Sequence, residues 1–261
     1  MEGALPFLIF GAGLVLVVLG AWYAHRQEQK RIEAFQRWSG REGLAYRPEK
    51  RSDPAYAYEL FERGHSRYLR HLAWKEFEAP TPGLSAVKLA LFEYHYAVTR
   101  RTGKSSSTSH YYYTCVLLDP GLDLGQVELA REGLGDKLLQ AIGFDDIDLE
   151  DPEFSRRYAV KARRREDAYA LLDQAMMRFL TAFKAPSLST RGRELLLFAE
   201  TSASPEAYES MTRFVLRFLA QLPRTLVNAE RAERGLPPLV EAGNAAPESR
   251  AALDQFEGDP T

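Results

Sequence analysis

The chain has 261 residues, 45% of them hydrophobic and 27% charged, with a net charge of −2. That composition suits a folded protein with a real core and gives no global bias toward nucleic acid or acidic partners. The single cysteine, Cys115, excludes an internal disulfide and any multi-cysteine zinc site.

Residues 4–24 read ALPFLIFGAGLVLVVLGAWYA, without one charged side chain. As a helix this run would span about 31 Å, against roughly 30 Å of bilayer hydrocarbon. Pro6 falls in the first turn, where its missing N–H costs least. Trp22 and Tyr23 fall where an interfacial aromatic belt belongs. A cleaved signal peptide fits less well, because only Glu2 is charged before the run and Ala21/Tyr23 and Trp22/Ala24 each set an aromatic at a small-residue cleavage site. The expectation is a single transmembrane helix over 4–24, with residues 1–3 outside the cytoplasm.

Arg26, Lys30, Arg31, Arg37 and Arg41 follow the run against Glu28 and Glu33, and no Lys or Arg precedes it. The positive-inside rule then puts the carboxyl-terminal part in the cytoplasm, with Trp22, Tyr23, Arg26, Lys30 and Arg31 as interface anchors. Residues 25–40 read as a basic helical stalk reaching about Ser39. Its Ile32, Phe35 and Trp38 recur every three residues and would pack on the domain, while its cations could also meet anionic headgroups.

Residues 41–236 form the folded domain, with a possible subdivision near 150–157. A strand is expected over 64–77, then a turn at Ala79-Pro80-Thr81-Pro82-Gly83. A long hairpin over 84–99 and 110–118 follows, in which Phe92, Tyr94, Tyr96 and Val98 alternate with Glu93, His95 and Ala97 as if one face were buried. Its polar, Ser-rich tip at 100–109 is expected to be mobile. Next come a short helix over 134–142, a strand over 158–162 and one helix over 166–183 with an apolar stripe at i, i+3, i+4 spacing. A hairpin around Gly192 and a last long helix opened by Ser204 and Pro205 complete the domain, and 237–261 reads as a disordered tail. The fold class is α+β: an N-terminal transmembrane helix, then a mainly antiparallel sheet with packed helices.

Sites are harder to find. Asp145–Asp151 is acidic, but an EF-hand would need Gly at Asp151 and Glu at Arg157. The basic residues Arg156, Arg157, Lys161, Arg163, Arg164 and Arg165 can neutralise this segment, and form a weak candidate surface for anionic lipid. Nothing accompanies them that would suit nucleic acid. If 63–71 is a regular strand, His65, Arg67 and His71 share one exposed face; the first and last histidines lie about 20 Å apart, too far to ligate one metal. Ser66 lacks a nucleophile-elbow setting, and Cys115 in an apolar strand is expected to be inert. No catalytic, metal or cofactor-binding residue is assigned.

The stretches LFEYHYAV, GFDDIDLEDPEFSRRYAV and AYALLDQAMMRFL resemble a bacterial family of membrane-anchored proteins of unknown function. That family shows FDYxY in a strand, then GFxDIDFxxxPEFxRRY. The resemblance covers about residues 60–200, with Glu93 in place of Asp and Leu149 in place of Phe. It implies a bacterial source, an inner-membrane location and an α+β cytoplasmic domain, and carries no catalytic residues.

Function is therefore expected to be that of a membrane-anchored, non-enzymatic interaction or scaffold module with a protein partner. The alternatives are a tethered enzyme with a dispersed site around Glu93, His95 and His110, and an anionic-lipid-binding surface domain.

Overall fold

The computed structural model describes residues 4–52, 58–81, 84, 86–103, 105–131 and 143–239, with side chains from residue 13 onward. The expected helix over 134–142 and the tail from 240 lie outside these residues.

One helix, α1, runs Ala4–Arg41. The short strands β1 (Ala45–Arg47) and β2 (Arg51–Ser52) and the one-turn helix α2 (Glu59–Glu62) lead into three long strands, β3 (His65–Phe77), β4 (Val87–Thr102) and β5 (Ser105–Asp119). Then come β6 (Val127–Arg131), β7 (Asp145–Asp146), α3 (Pro152–Ser155), β8 (Tyr158–Ala162), α4 (Arg165–Leu171) and α5 (Gln174–Ala182). The strands β9 (Ser187–Arg191) and β10 (Glu194–Ala199) and the helices α6 (Pro205–Ala220) and α7 (Arg224–Glu233) end the domain.

All ten strands join one antiparallel sheet in the order β1-β3-β4-β5-β10-β9-β6-β8-β7, with β2 pairing beside β1 on the same edge of β3. The sheet dominates the fold. One face carries the helices and the larger core, including Phe35, Leu91, Val116, Leu180 and Phe218. The other holds an aromatic cluster of Phe61, Phe92, Tyr94, Tyr96, Tyr113 and Phe198 around Tyr58 and Cys115.

Several expectations need correction. Among the described residues no helix is long and apolar enough to cross a membrane. Over 13–41 the uncharged run ends at Ala24, and the rest of α1 carries five cations and two acids. The N-terminal transmembrane helix in the expected fold class is thus overturned, and the inside–outside orientation that presupposed a crossing goes with it. Phe35 and Trp38, in the stripe expected to pack on the domain, are buried core residues. The hairpin tip at 100–109 is not a loose loop: β4 and β5 stay paired from Lys88↔Asp119 to Thr102↔Ser105. In β4 both faces are buried between Leu91 and Ala97, Glu93 and His95 included.

The helix expected over 166–183 is two helices. Its apolar stripe continues across the break, but the Asp173 side chain accepts from Met176 N–H and starts α5 afresh. A further helix, α7, follows Pro223. Residues 237–239 are held down: Leu239 N–H donates to Asn228 Oδ1, and Arg231 donates to the Pro237 carbonyl.

Candidate functional site

Helix α1 divides in two. From residue 13 through Gln27 every side chain is exposed, and Leu14–Leu19, Trp22 and Tyr23 are 54–69% exposed. From Glu28 on the helix meets the domain. Phe35 stacks on His71 at 4.7 Å and tilts against Tyr208 at 4.9 Å, and Trp38 meets Tyr208 edge-on at 5.6 Å. Burying these two side chains contributes about 3–6 kcal/mol together.

Beneath this contact lies a buried charge cluster. Glu93, in mid-β4 and 0% exposed, accepts from Arg31 Nη2 at 2.6 Å, from Arg70 Nε at 2.5 Å and from Ala203 N–H at 2.9 Å. Arg31 also donates to the Ala203 carbonyl at 2.5 Å. Glu28 reaches Arg31 at 3.8 Å and Arg70 at 3.4 Å. The cluster therefore ties α1, β3, β4 and the segment before α6 together. Burial by itself would raise the Glu93 carboxyl, but the two guanidinium groups and their hydrogen bonds outweigh it and hold the group below the usual carboxylate range.

His71 completes the cluster. The register of β3 against β4 slips between Arg70 and Ala73, and His71 takes φ 54 there. This bulge inserts one extra residue, so the His71 ring turns onto the helical face beside Arg70. Its Nδ1 lies 2.7 Å from the Tyr46 hydroxyl. Its Nε2 is 3.1 Å from Glu28 Oε1, within ion-pair distance but without hydrogen-bond geometry. Burial, and then Arg31, push its pKa down to about 4, so the ring is neutral at pH 7. Two cations then face two carboxylates, and the cluster is close to neutral. Tyr208 donates to the His71 carbonyl at 2.8 Å.

A second bulge between His65 and Tyr68, with Ser66 at φ 54, rotates the outer part of β3. His65, Arg67 and His71 consequently do not form the expected exposed face: His65 bonds Thr99 and Ser66 at the surface, whereas His71 is fully buried. The structure brings two of the three enzyme candidates together, with His95 Nε2 at 3.0 Å from His110 Nδ1. His95 also contacts the Ser66 carbonyl at 3.1 Å and stacks on Tyr68 at 4.5 Å. Glu93 is not shared with them, since its oxygens are committed to two arginines and an amide. Cys115 is fully buried, which pushes its thiol well up and away from the reactive thiolate form. Among the described residues no group of three or more His, Cys, Asp or Glu is placed to hold a metal ion.

Of the expected interface anchors, Trp22, Tyr23, Arg26 and Lys30 are exposed, with Arg26 over the Trp22 ring at 5.2 Å. Arg31 instead turns inward to Glu93. Sequence reading missed that pairing because its members lie 62 residues apart; the one available signal was an acid in mid-strand between Phe92 and Tyr94. In the basic stretch, Arg157 pairs with Glu153 at 3.0 Å, Lys161 with Asp146 at 3.4 Å and Arg164 with Asp167 at 2.5 Å, while Arg156 bonds the Pro152 carbonyl. Arg163 is exposed and its backbone N–H donates to the Gln126 carbonyl at 3.1 Å, and Arg165 opens α4. This stretch lies on β8 and its flanks, six strand spacings from β3, or about 29 Å across the sheet from α1. The segment with the DIDLEDPEF pattern sends only Ile147 and Phe154 into the core: Phe154 is fully buried and tilts at 5.0 Å against Tyr158, whose hydroxyl donates to the carbonyls of Leu180 and Ala185.

No family model matches the chain, and no curated protein is similar to it. Among solved structures it is similar to the mycobacterial trehalose monomycolate transport factor A, TtfA, with a TM-score of 0.50 and 14% identity over 80% of this chain and 97% of that one. At that identity the likeness is one of fold: this chain shares an α+β architecture with a transport factor.

Proposed function

We propose that the protein is a membrane-associated, non-enzymatic module that holds its α+β domain at a bilayer for a protein partner. One observation carries this reading. Residues 14–23 of α1 present a continuous apolar surface to water, while the same helix is clamped to the domain by Phe35, Trp38 and the Glu93 cluster. Each Leu or Val of this run, 54–69% exposed, forgoes more than half of the about 1.5–3 kcal/mol that full burial gives, and a patch of this kind marks an interaction surface. A rigid joint makes any lipid contact of residues 14–23 fix the pose of the whole domain.

The reading requires association with the bilayer and no crossing of it. Arg26, Lys30 and Arg37 are exposed just beyond the apolar run and suit anionic headgroups, at about 1 kcal/mol each near the surface. Their attraction favours the cytoplasmic leaflet of a bacterial inner membrane, in keeping with the family resemblance drawn from the sequence. The commitment of Glu93 to structural bonds supports a binding role over catalysis, and the fold shared with a transport factor supports service to a transport process.

Flotation of the full chain with vesicles containing anionic phospholipid tests this. The wild type should float, and Leu16→Asp/Val17→Asp should stay at the bottom of the gradient with an unchanged thermal transition. Equal flotation of both would remove α1 from the role. A fragment starting at Gly40 is no substitute, because it lacks Arg31, Phe35 and Trp38.

A further inference from the structure

A groove of about 500 Å³ opens on the helical face between the end of α5, the first half of α6 and the strands β5, β6 and β10. Among the described residues its lining carries four cations, Arg131, Lys184, Arg213 and Arg217, and no carboxylate. Arg213 also pairs with Glu209 at 3.8 Å, both side chains being exposed. The rest of the wall combines Thr114, Thr201 and Ser210 with apolar side chains. Phe183 is 46% exposed at the mouth under the Arg217 guanidinium, 4.9 Å from its ring, and Met211 and Phe214 continue inward. Phe183 tilts against Phe179 at 4.9 Å and Phe179 stacks on Phe214 at 5.4 Å, so the phenylalanine side runs without a break into the core.

Lys184 is the telling residue. Ala185 N–H bonds the Leu180 carbonyl and Lys184 N–H the Thr181 carbonyl, the two bonds of a Schellman cap. Lys184 occupies the left-handed position of that cap, at φ 49, where glycine is the usual residue and a side chain costs about 1–2 kcal/mol. The fold thus holds a strained lysine where the simplest residue would close the helix as well, and this lysine lines the groove.

We propose that this groove binds a single-chain amphiphile with a phosphomonoester head, the phosphate among the four cations and the alkyl chain along Phe183, Met211 and Phe214. Guanidinium groups along one groove favour a phosphate over a carboxylate, because they can share its several oxygens in paired hydrogen bonds. The volume lies within the range of small-molecule sites, roughly 300–1,000 Å³. The site stands apart from the membrane contact of α1, so either can fail without the other.

The test titrates the full chain with a short-chain lysophosphatidate below its critical micelle concentration, in the Leu16→Asp/Val17→Asp background so that α1 cannot take up the probe. Saturable binding is expected. Lys184→Gly and Arg213→Gln should each weaken it about tenfold, the loss of one charge-assisted hydrogen bond. Because glycine suits position 184, Lys184→Gly should fold at least as stably as the parent, which separates lost binding from lost structure. Lysophosphatidylcholine of the same chain length and inorganic phosphate should both bind at least tenfold more weakly. Unchanged affinity in the Lys184→Gly/Arg213→Gln double variant, equal binding of the zwitterionic lipid, or inorganic phosphate binding as tightly as the amphiphile would each overturn the proposal.

Discussion

Glu93→Ala is the sharpest perturbation of the joint between helix and domain. It removes an acceptor that is 0% exposed and takes three hydrogen bonds, two of them charge-assisted. Removing one partner from a buried ion pair costs about 3–5 kcal/mol, chiefly because the opposite charge stays behind uncompensated. Here the side chains of Arg31 and Arg70 are 23% and 18% exposed, so water can partly solvate them once released, and the loss should fall near 3 kcal/mol. With a urea slope of about 2 kcal/mol per molar, the unfolding midpoint should drop by about 1.5 M. Limited tryptic digestion should also speed up at Arg31, which the joint now shields. A second variant, Arg31→Met/Arg70→Met/Glu93→Leu, replaces the three inner charges by apolar groups, leaves only the 36% exposed Glu28, and should recover most of the loss. A drop below about 1 kcal/mol for Glu93→Ala, or a triple variant less stable than the single one, would refute the view that these charges clamp α1.

Acid should weaken the same joint. The folded pKa of His71 lies at about 4 against an ordinary 6.5, so between these values the unfolded chain binds a proton that the folded chain refuses. Stability is full above pH 6.5 and falls as the pH drops toward 4, by about 3 kcal/mol, and the low-lying Glu93 carboxyl adds loss of the same sign further down. Denaturation curves at pH 7.5 and 4.5 should show the decline, and His71→Gln should flatten its upper part. Gly64→Ala should cost at least about 2 kcal/mol by thermal melting, since Gly64 has φ +58 and a Cβ there would stand 2.2 Å from the Ala97 carbonyl oxygen. Asp173→Ala should cost about 1 kcal/mol, the value of a lost helix N-cap, in the same assay.

Period-2 alternation made β4 legible, the apolar run of residues 111–118 marked β5, and Gly192 marked the second hairpin. The bulges were not legible. Each extra residue reverses which side chains share a face, so counting by twos groups Arg67 with His65 and His71, and nothing in the count shows that Phe35 of α1 covers His71. The clamp was equally hidden, as Arg31, Arg70 and Glu93 are remote in sequence and meet only once the sheet has formed. Cations after an apolar run read naturally as headgroup ligands, and nothing local marks Arg31 as the one that turns inward. The break between α4 and α5 fell inside an unbroken apolar stripe, with the carboxylate of Asp173 as its only signal. The groove under α6 was invisible for a related reason: its cations come from three separate segments, each unremarkable alone.

The central claim is that residues 14–23 of α1 meet lipid while the joint below them stays in water. Nitroxide labels at single cysteines test it directly, since the native Cys115 is buried and inert. In the presence of anionic vesicles, labels at Leu16, Val17 and Trp22 should become accessible to oxygen and protected from a water-soluble nickel chelate, whereas labels at Gln27 and Lys30 should show the reverse. Labels at 16, 17 and 22 that remain as open to the chelate with vesicles as without them would contradict the account.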